Sequence, residues 1–244
     1  MKAKNLLSHF PKTVEWSLVV NTVIAICLAL FVHVYGGIFS LIISALLFWI
    51  LFYIETIERE TYIRSYLVYV ILLLIWAEYL DASVYSGIIF GLCAGVGMVV
   101  WIGIVRFLFK RKELVLSLFH TALVYGALLF SVVSSGFVSA LFGAFVSGLL
   151  LYELCIQHQF PWKKRILLIS AGTGFFIFEC ILLVRALPLS AIAGAGVLSL
   201  LVLGVRDLVV AHCSGGLNRR YVLEQIILFI GVCILLFMTG KWVM

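Results

Sequence analysis

Nine apolar runs, each about 16 to 25 residues long and separated by short connections, take up most of this chain. An α-helix rising 1.5 Å per residue needs about 20 such residues to cross a hydrocarbon core of about 30 Å. A membrane β-barrel would show segments of about ten residues with alternating hydropathy, and that pattern is missing. The runs therefore predict an all-α polytopic membrane protein, a bundle of about nine transmembrane helices forming a single transmembrane domain over residues 1–244. Their limits are Trp16 to Tyr35, Ile38 to Ile54, Ser65 to Leu80, Tyr85 to Phe109, Leu114 to Val133, Phe137 to Ile156, Ile166 to Arg185, Ser190 to Val210 and Val222 to Met238. Composition agrees, since 11% of residues are charged and mean hydropathy is +1.24, whereas a soluble domain carries about 25% charged residues.

The positions of Lys and Arg supply an independent check, because both are held on the cytoplasmic side while Asp and Glu contribute little. Lys2, Lys4 and Lys12 precede the first run, and Arg59 and Arg64 follow the second. Arg106, Lys110, Arg111 and Lys112 close the fourth, Lys163, Lys164 and Arg165 follow the sixth, and Arg206, Arg219 and Arg220 follow the eighth. The alternate connections carry only Arg185, and Lys241 ends the chain, so 15 basic residues fall on one side and 2 on the other. Deleting the short third run would place large basic clusters on both sides, which argues for keeping it. The expected topology has the N-terminus cytoplasmic and the C-terminus outside, in the inner membrane of a bacterial-type cell. The first run is expected to stay as a span, being longer than the 7 to about 15 residues of a signal-peptide core and lacking an A-x-A site.

The same distribution argues against nucleic acid as a partner, because the net charge of +6 lies between apolar runs and not on one soluble face. The six cysteines form no CxxC pair, and all but Cys213 lie within apolar runs, where cysteine acts as a small hydrophobe. Neither disulfides nor structural zinc are expected.

The even-numbered runs begin with small residues four apart: Gly36, Ser40 and Ser44; Gly87, Gly91 and Gly95; Gly136, Ala140, Ala144 and Gly148; Ala191, Ala195 and Ser199. Such residues share one helix face and let another backbone come close, which is how helices pack where lipid supplies no hydrophobic drive. The stripes recur at 51, 49 and 55 residues, and the basic clusters near Arg64, Lys112, Arg165 and Arg220 recur at 48, 53 and 55. Four tandem two-helix units, 16–54, 65–109, 114–156 and 166–210, followed by a final helix 222–238, would explain both periods. So would the general abundance of small residues in membrane helices.

Motifs that carry chemistry are missing. The chain has no G-x-x-x-x-G-K-[ST] phosphate loop and no H-E-x-x-H, and His9, His33, His120, His158 and His212 are scattered without ligand spacing. Asp81 and Asp207 fall at opposite ends of their spans, so an aspartyl pair sharing a proton is not expected. The stretch HCSGG, His212 to Gly216, crowds a base beside two nucleophile types, but its glycines read better as a helix C-terminus. No metal, cofactor or catalytic residue is expected, and the chain is read as a non-enzyme.

Two sets of polar residues remain. Glu55, Arg106, Glu153, Arg206 and Asp207 sit near the cytoplasmic ends of their spans, where long side chains snorkel to the interface, so they are expected to act as inner-face anchors. Glu179 lies thirteen residues beyond Ile166, about 20 Å along its helix, too deep for that. It is expected to face the bundle and to find a partner, with Glu78 and His33 completing a buried polar site, or Thr173 and Ser170 on its own helix. Arg185, six residues on, points about 240° away.

The reading that follows is a non-catalytic membrane subunit or scaffold, embedded in the lipid bilayer and meeting a membrane-protein partner or anionic lipid at its cytoplasmic face. The alternative is a small-molecule or ion carrier with a protonatable site at Glu179, and an intramembrane enzyme is third. A carrier needs polar residues from several helices converging on a cavity, whereas a scaffold needs a filled interior.

Overall fold

The computed structural model describes residues 12–55, 59–80, 83–105, 111–158, 160 and 163–239, and these form nine α-helices and no strand. In chain order they are α1 (Lys12–Tyr35), α2 (Gly37–Glu55), α3 (Arg59–Tyr79), α4 (Val84–Val105), α5 (Lys112–Val133), α6 (Phe137–Gln157), α7 (Lys163–Ala186), α8 (Ala191–Cys213) and α9 (Arg219–Thr239). Each coincides with one apolar run. Seven of them, α1 and α3 to α8, are long and apolar enough to cross a membrane. The difference from the expected nine lies at α2 and α9. The described apolar stretch of α2 covers Ser40–Ile50, and α9 is not among the seven.

The chain divides into two compact units. The first takes in α1, α2, α4, residues 69–79 of α3 and residues 112–119 of α5. The second takes in residues 61–68 of α3, residues 120–133 of α5, and α6 to α9.

In the first unit α4 lies antiparallel against α1 along its glycine stripe. Gly87 faces His33, Gly91 faces Leu30 and Gly95 faces Ile26, where an added Cβ would come within 2.7 Å of the isoleucine Cδ1. Gly97 makes room for the ring of Tyr69, whose hydroxyl donates to the Ala94 carbonyl. α1 ends at Gly36, which takes a left-handed φ of +54° and donates its N–H to the Val32 carbonyl at 2.9 Å. That conformation is open to glycine at no steric cost, and it explains the tight link to α2.

In the second unit α6 and α7 pack antiparallel and close. A Cβ on Gly148 would fall 2.7 Å from the Ser170 carbonyl oxygen, and one on Gly174 would fall 3.1 Å from that of Ala144. Leu151, Cys155 and Ile166 fill the space below, with Tyr152, Phe160 and Val209 packed against them. α8 lays Gly194 against Val184 of α7, and α9 packs on α8. The HCSGG stretch is the C-terminus of α8: Gly215 turns left-handed at φ +73°, and Gly216 donates to the Ala211 carbonyl at 2.9 Å.

Arg185, at the end of α7, fastens the turn between α5 and α6. Its Nε donates to the Ser131 carbonyl at 2.8 Å, and Nη2 donates to the same carbonyl, to that of Ser134 at 2.6 Å and to the Ser139 hydroxyl at 2.8 Å. Its Nη1 reaches the Gly136 carbonyl at 3.1 Å. The Ser131 and Ser134 carbonyls lie at the C-terminus of α5, where the last carbonyls have no partner further along their own helix, and that of Gly136 belongs to the N-cap of α6, so one planar guanidinium bridges the two helix ends. Lysine cannot copy that fork. Arg185→Lys is expected to lose about 1.5–3 kcal/mol, the worth of a hydrogen bond or two to a charged group. A thermal melt of the variant in detergent checks this, and a loss under about 0.5 kcal/mol would mean that water serves those carbonyls equally well.

Candidate functional site

Where α3 begins and α6 ends, the second unit gathers a buried polar cluster. Glu153 lies one residue past Tyr152 in the last two turns of α6 and is 0% exposed. Its Oε2 accepts the backbone N–H of Ser65 at 2.8 Å and its Oε1 accepts the Ser65 hydroxyl at 2.7 Å. Gln157, one turn on, donates to Oε1 at 3.4 Å. His120 of α5 brings Nε2 to 3.4 Å from the same oxygen without the alignment of a hydrogen bond. Glu153 thus ties three helices. It is not the exposed interface anchor expected from its position near a helix end: a carboxyl group removed from water needs hydrogen-bond partners, and the cluster supplies them.

The next residue on each helix faces a different way. Arg64, beside Ser65, places its guanidinium carbon 5.0 Å from the ring centroid of Tyr152, a cation–π contact. Its Nη1 is buried and has no hydrogen-bond partner among the described residues. Arg64 and Tyr152 stand at one end of a cavity of about 600 Å³ that follows the α6–α7 seam. The floor is Ala144, Gly148, Ser170 and Gly174, all buried, while Phe145 and Phe175 form rims 65% and 66% exposed. Apart from Arg64 and Ser170 the lining is apolar or aromatic. The Ser170 hydroxyl, in a residue 3% exposed, has no partner among the described residues.

The residues singled out for a buried polar site differ in burial. Glu179 and Glu78 are exposed, and only His33 is buried. On α7 the buried positions are Ile166, Ser170, Thr173, Gly174, Ile177, Ile181 and Val184, a clean helical stripe, and Glu179 falls on the opposite face beside Phe175, Phe176, Leu182 and Leu183. The expectation that Glu179 faces inward is corrected by that periodicity. His33, in the first unit, sits with Nε2 3.3 Å from the Ser86 hydroxyl and its ring 6.0 Å from that of Phe90, so it packs α1 onto α4.

Of the remaining expected anchors, Arg206 pairs with its neighbour Asp207, Nε to Oδ1 at 3.0 Å, and both are partly exposed. Arg106 lies outside the described residues. So do Asp81, Lys110 and Lys241. His120, Ser65 and Arg64 were not recognisable as site residues from sequence. Arg64 counted only toward the charge asymmetry, and nothing in the spacing links residue 65 to residue 153.

Because Glu179 sits outward and holds nothing in the second unit together, Glu179→Gln is expected to leave stability within about 0.5 kcal/mol of the parent. A loss of folded protein by size-exclusion chromatography would contradict its exposed placement.

Compared with models of protein families, with curated proteins and with solved structures, the chain finds no match.

Proposed function

We propose that this chain is a non-catalytic subunit or scaffold of a bacterial-type cytoplasmic membrane, crossing it nine times with the N-terminus inside. The charge asymmetry supports nine crossings, and α2, at 19 residues, spans about 28 Å, close to the core thickness. The described small residues four apart on α2, α4, α6 and α8 are largely buried, which is compatible with four related two-helix units.

The observation that carries the subunit reading is Glu179. An ionisable side chain in mid-span costs about 2.5–3.5 kcal/mol against lipid, and here it stands exposed among phenylalanine and leucine side chains. A second membrane protein whose helix presents a hydrogen-bond donor at that depth would cover the carboxyl and the surrounding apolar face together. The carrier reading draws less support, because its proposed acidic residues Glu179 and Glu78 are each exposed and the α6–α7 cavity is lined chiefly by apolar side chains.

Native mass spectrometry of the protein released from native-membrane nanodiscs tests this beside Glu179→Gln and Glu179→Leu. The parent and the glutamine variant, which keeps an acceptor, should retain a stoichiometric second protein, and the leucine variant should release it. Release of the chain alone from all three, or retention by the leucine variant, would overturn the reading.

A further inference from the structure

The cavity along α6 and α7 is apolar over its length and ends at a cation with an unmet donor. We propose that it binds one anionic phospholipid, with an acyl chain lying along the α6–α7 seam and the phosphate on Arg64. The site goes beyond the subunit reading and rests on it only for the leaflet, which is the cytoplasmic one in the orientation given above.

Three observations point to a lipid. The first is shape. From Phe137 to Tyr152 the groove follows fifteen residues of α6, about 22 Å, while an acyl chain covers half of the hydrocarbon core, about 15 Å.

The second is charge. Arg64 lines the groove with its guanidinium over the Tyr152 ring, and its Nη1 is buried with no partner among the described residues. A guanidinium offers phosphate two parallel N–H donors, and Lys164 and Arg165, exposed in the first turn of α7, add positive charge where the helix N-terminus already favours an anion. The third is placement. Arg64, Tyr152 and Leu167 all lie near helix ends, α3 and α7 beginning and α6 ending there, which is headgroup depth for a spanning helix. The Ser65–Glu153 contacts next door hold Arg64 at the groove's end.

The test is native mass spectrometry from nanodiscs made of equal parts phosphatidylglycerol and phosphatidylcholine. The parent should retain one phosphatidylglycerol per chain, favoured at least tenfold over phosphatidylcholine. Arg64→Gln should lower that retention at least tenfold, and Arg64→Lys should recover part of it. Ala171→Trp, at an exposed position in the lining, should fill the groove and displace the lipid with Arg64 intact. Circular dichroism and size-exclusion profiles establish that each variant is folded, and the tryptophan variant keeps the test decisive if loss of Arg64 unfolds the chain. Equal retention of both lipids, retention unchanged in the glutamine and tryptophan variants, or a protein bound in the lipid's place would overturn the proposal. Glu179→Leu should release the partner protein and keep the lipid, while Arg64→Gln should do the reverse, so the two readings fail separately.

Discussion

Glu153→Ala is expected to cost about 3–5 kcal/mol, enough to remove most folded protein from a marginally stable domain. The reason is not the strength of its hydrogen bonds, since interhelical bonds in membranes average only about 0.6 kcal/mol each. Three contributions add instead. The Ser65 N–H loses its Glu153 acceptor in a fully buried place, the Ser65 hydroxyl is left with only the longer contact to the Tyr62 carbonyl, and a cavity opens where α3, α5 and α6 meet.

Glu153→Gln is the informative partner variant. It keeps the shape and one carbonyl acceptor, so the Ser65 N–H stays served, and it should cost about half as much, about 2 kcal/mol. Thermal midpoints of the parent and both variants in one detergent decide the matter. An alanine variant within about 1 kcal/mol of the parent would mean that water reaches the cluster and that Glu153 is no clamp. The variant should also weaken lipid retention without touching the groove, because Arg64 is held one residue from Ser65.

The parts of this molecule written in local periodicity were legible in the sequence. Nine apolar runs coincide with nine described helices, the glycines of HCSGG end α8 with Gly215 at a left-handed φ, and the small-residue stripes of α4 and α6 lie on faces where those helices pack. The misreading of Glu179 came from reasoning on cost alone. A deep carboxylate is expensive, but the stripe from Ile166 through Ser170, Thr173, Ile177 and Ile181 already assigns the inward face of α7, and residue 179 is not on it. The Glu153 cluster was beyond reach for another reason. Its members come from α3, α5 and α6, 88 residues apart at the widest, and a single chain does not state which helices are neighbours. Arg185 shows the same limit: a lone basic residue on the sparsely charged side, it proves to cap the turn at Ser131 to Gly136.

Gly148→Ala is expected to be a damaging single-methyl change in the second unit. Its Cβ would stand 2.7 Å from the Ser170 carbonyl oxygen and 3.5 Å from the Gly174 Cα, so the obstacle is backbone and cannot swing aside. α7 would have to move away along the seam, losing the dispersion contacts that hold membrane helices together, at a cost of about 2–4 kcal/mol. Gly174→Ala meets the Ala144 carbonyl oxygen at 3.1 Å, a strain of a few tenths of an ångström, and should cost about 1 kcal/mol. Gly172, on the same helix, has nothing within 4 Å, so Gly172→Ala should gain up to about 1 kcal/mol from helix propensity alone. Melting the three variants side by side separates close packing from composition. If alanine were tolerated equally at all three, the glycines would be incidental. The predicted order, with opposite signs at residues 148 and 172, follows only if the α6–α7 seam is as tight as its backbone contacts imply, and the groove floor with it.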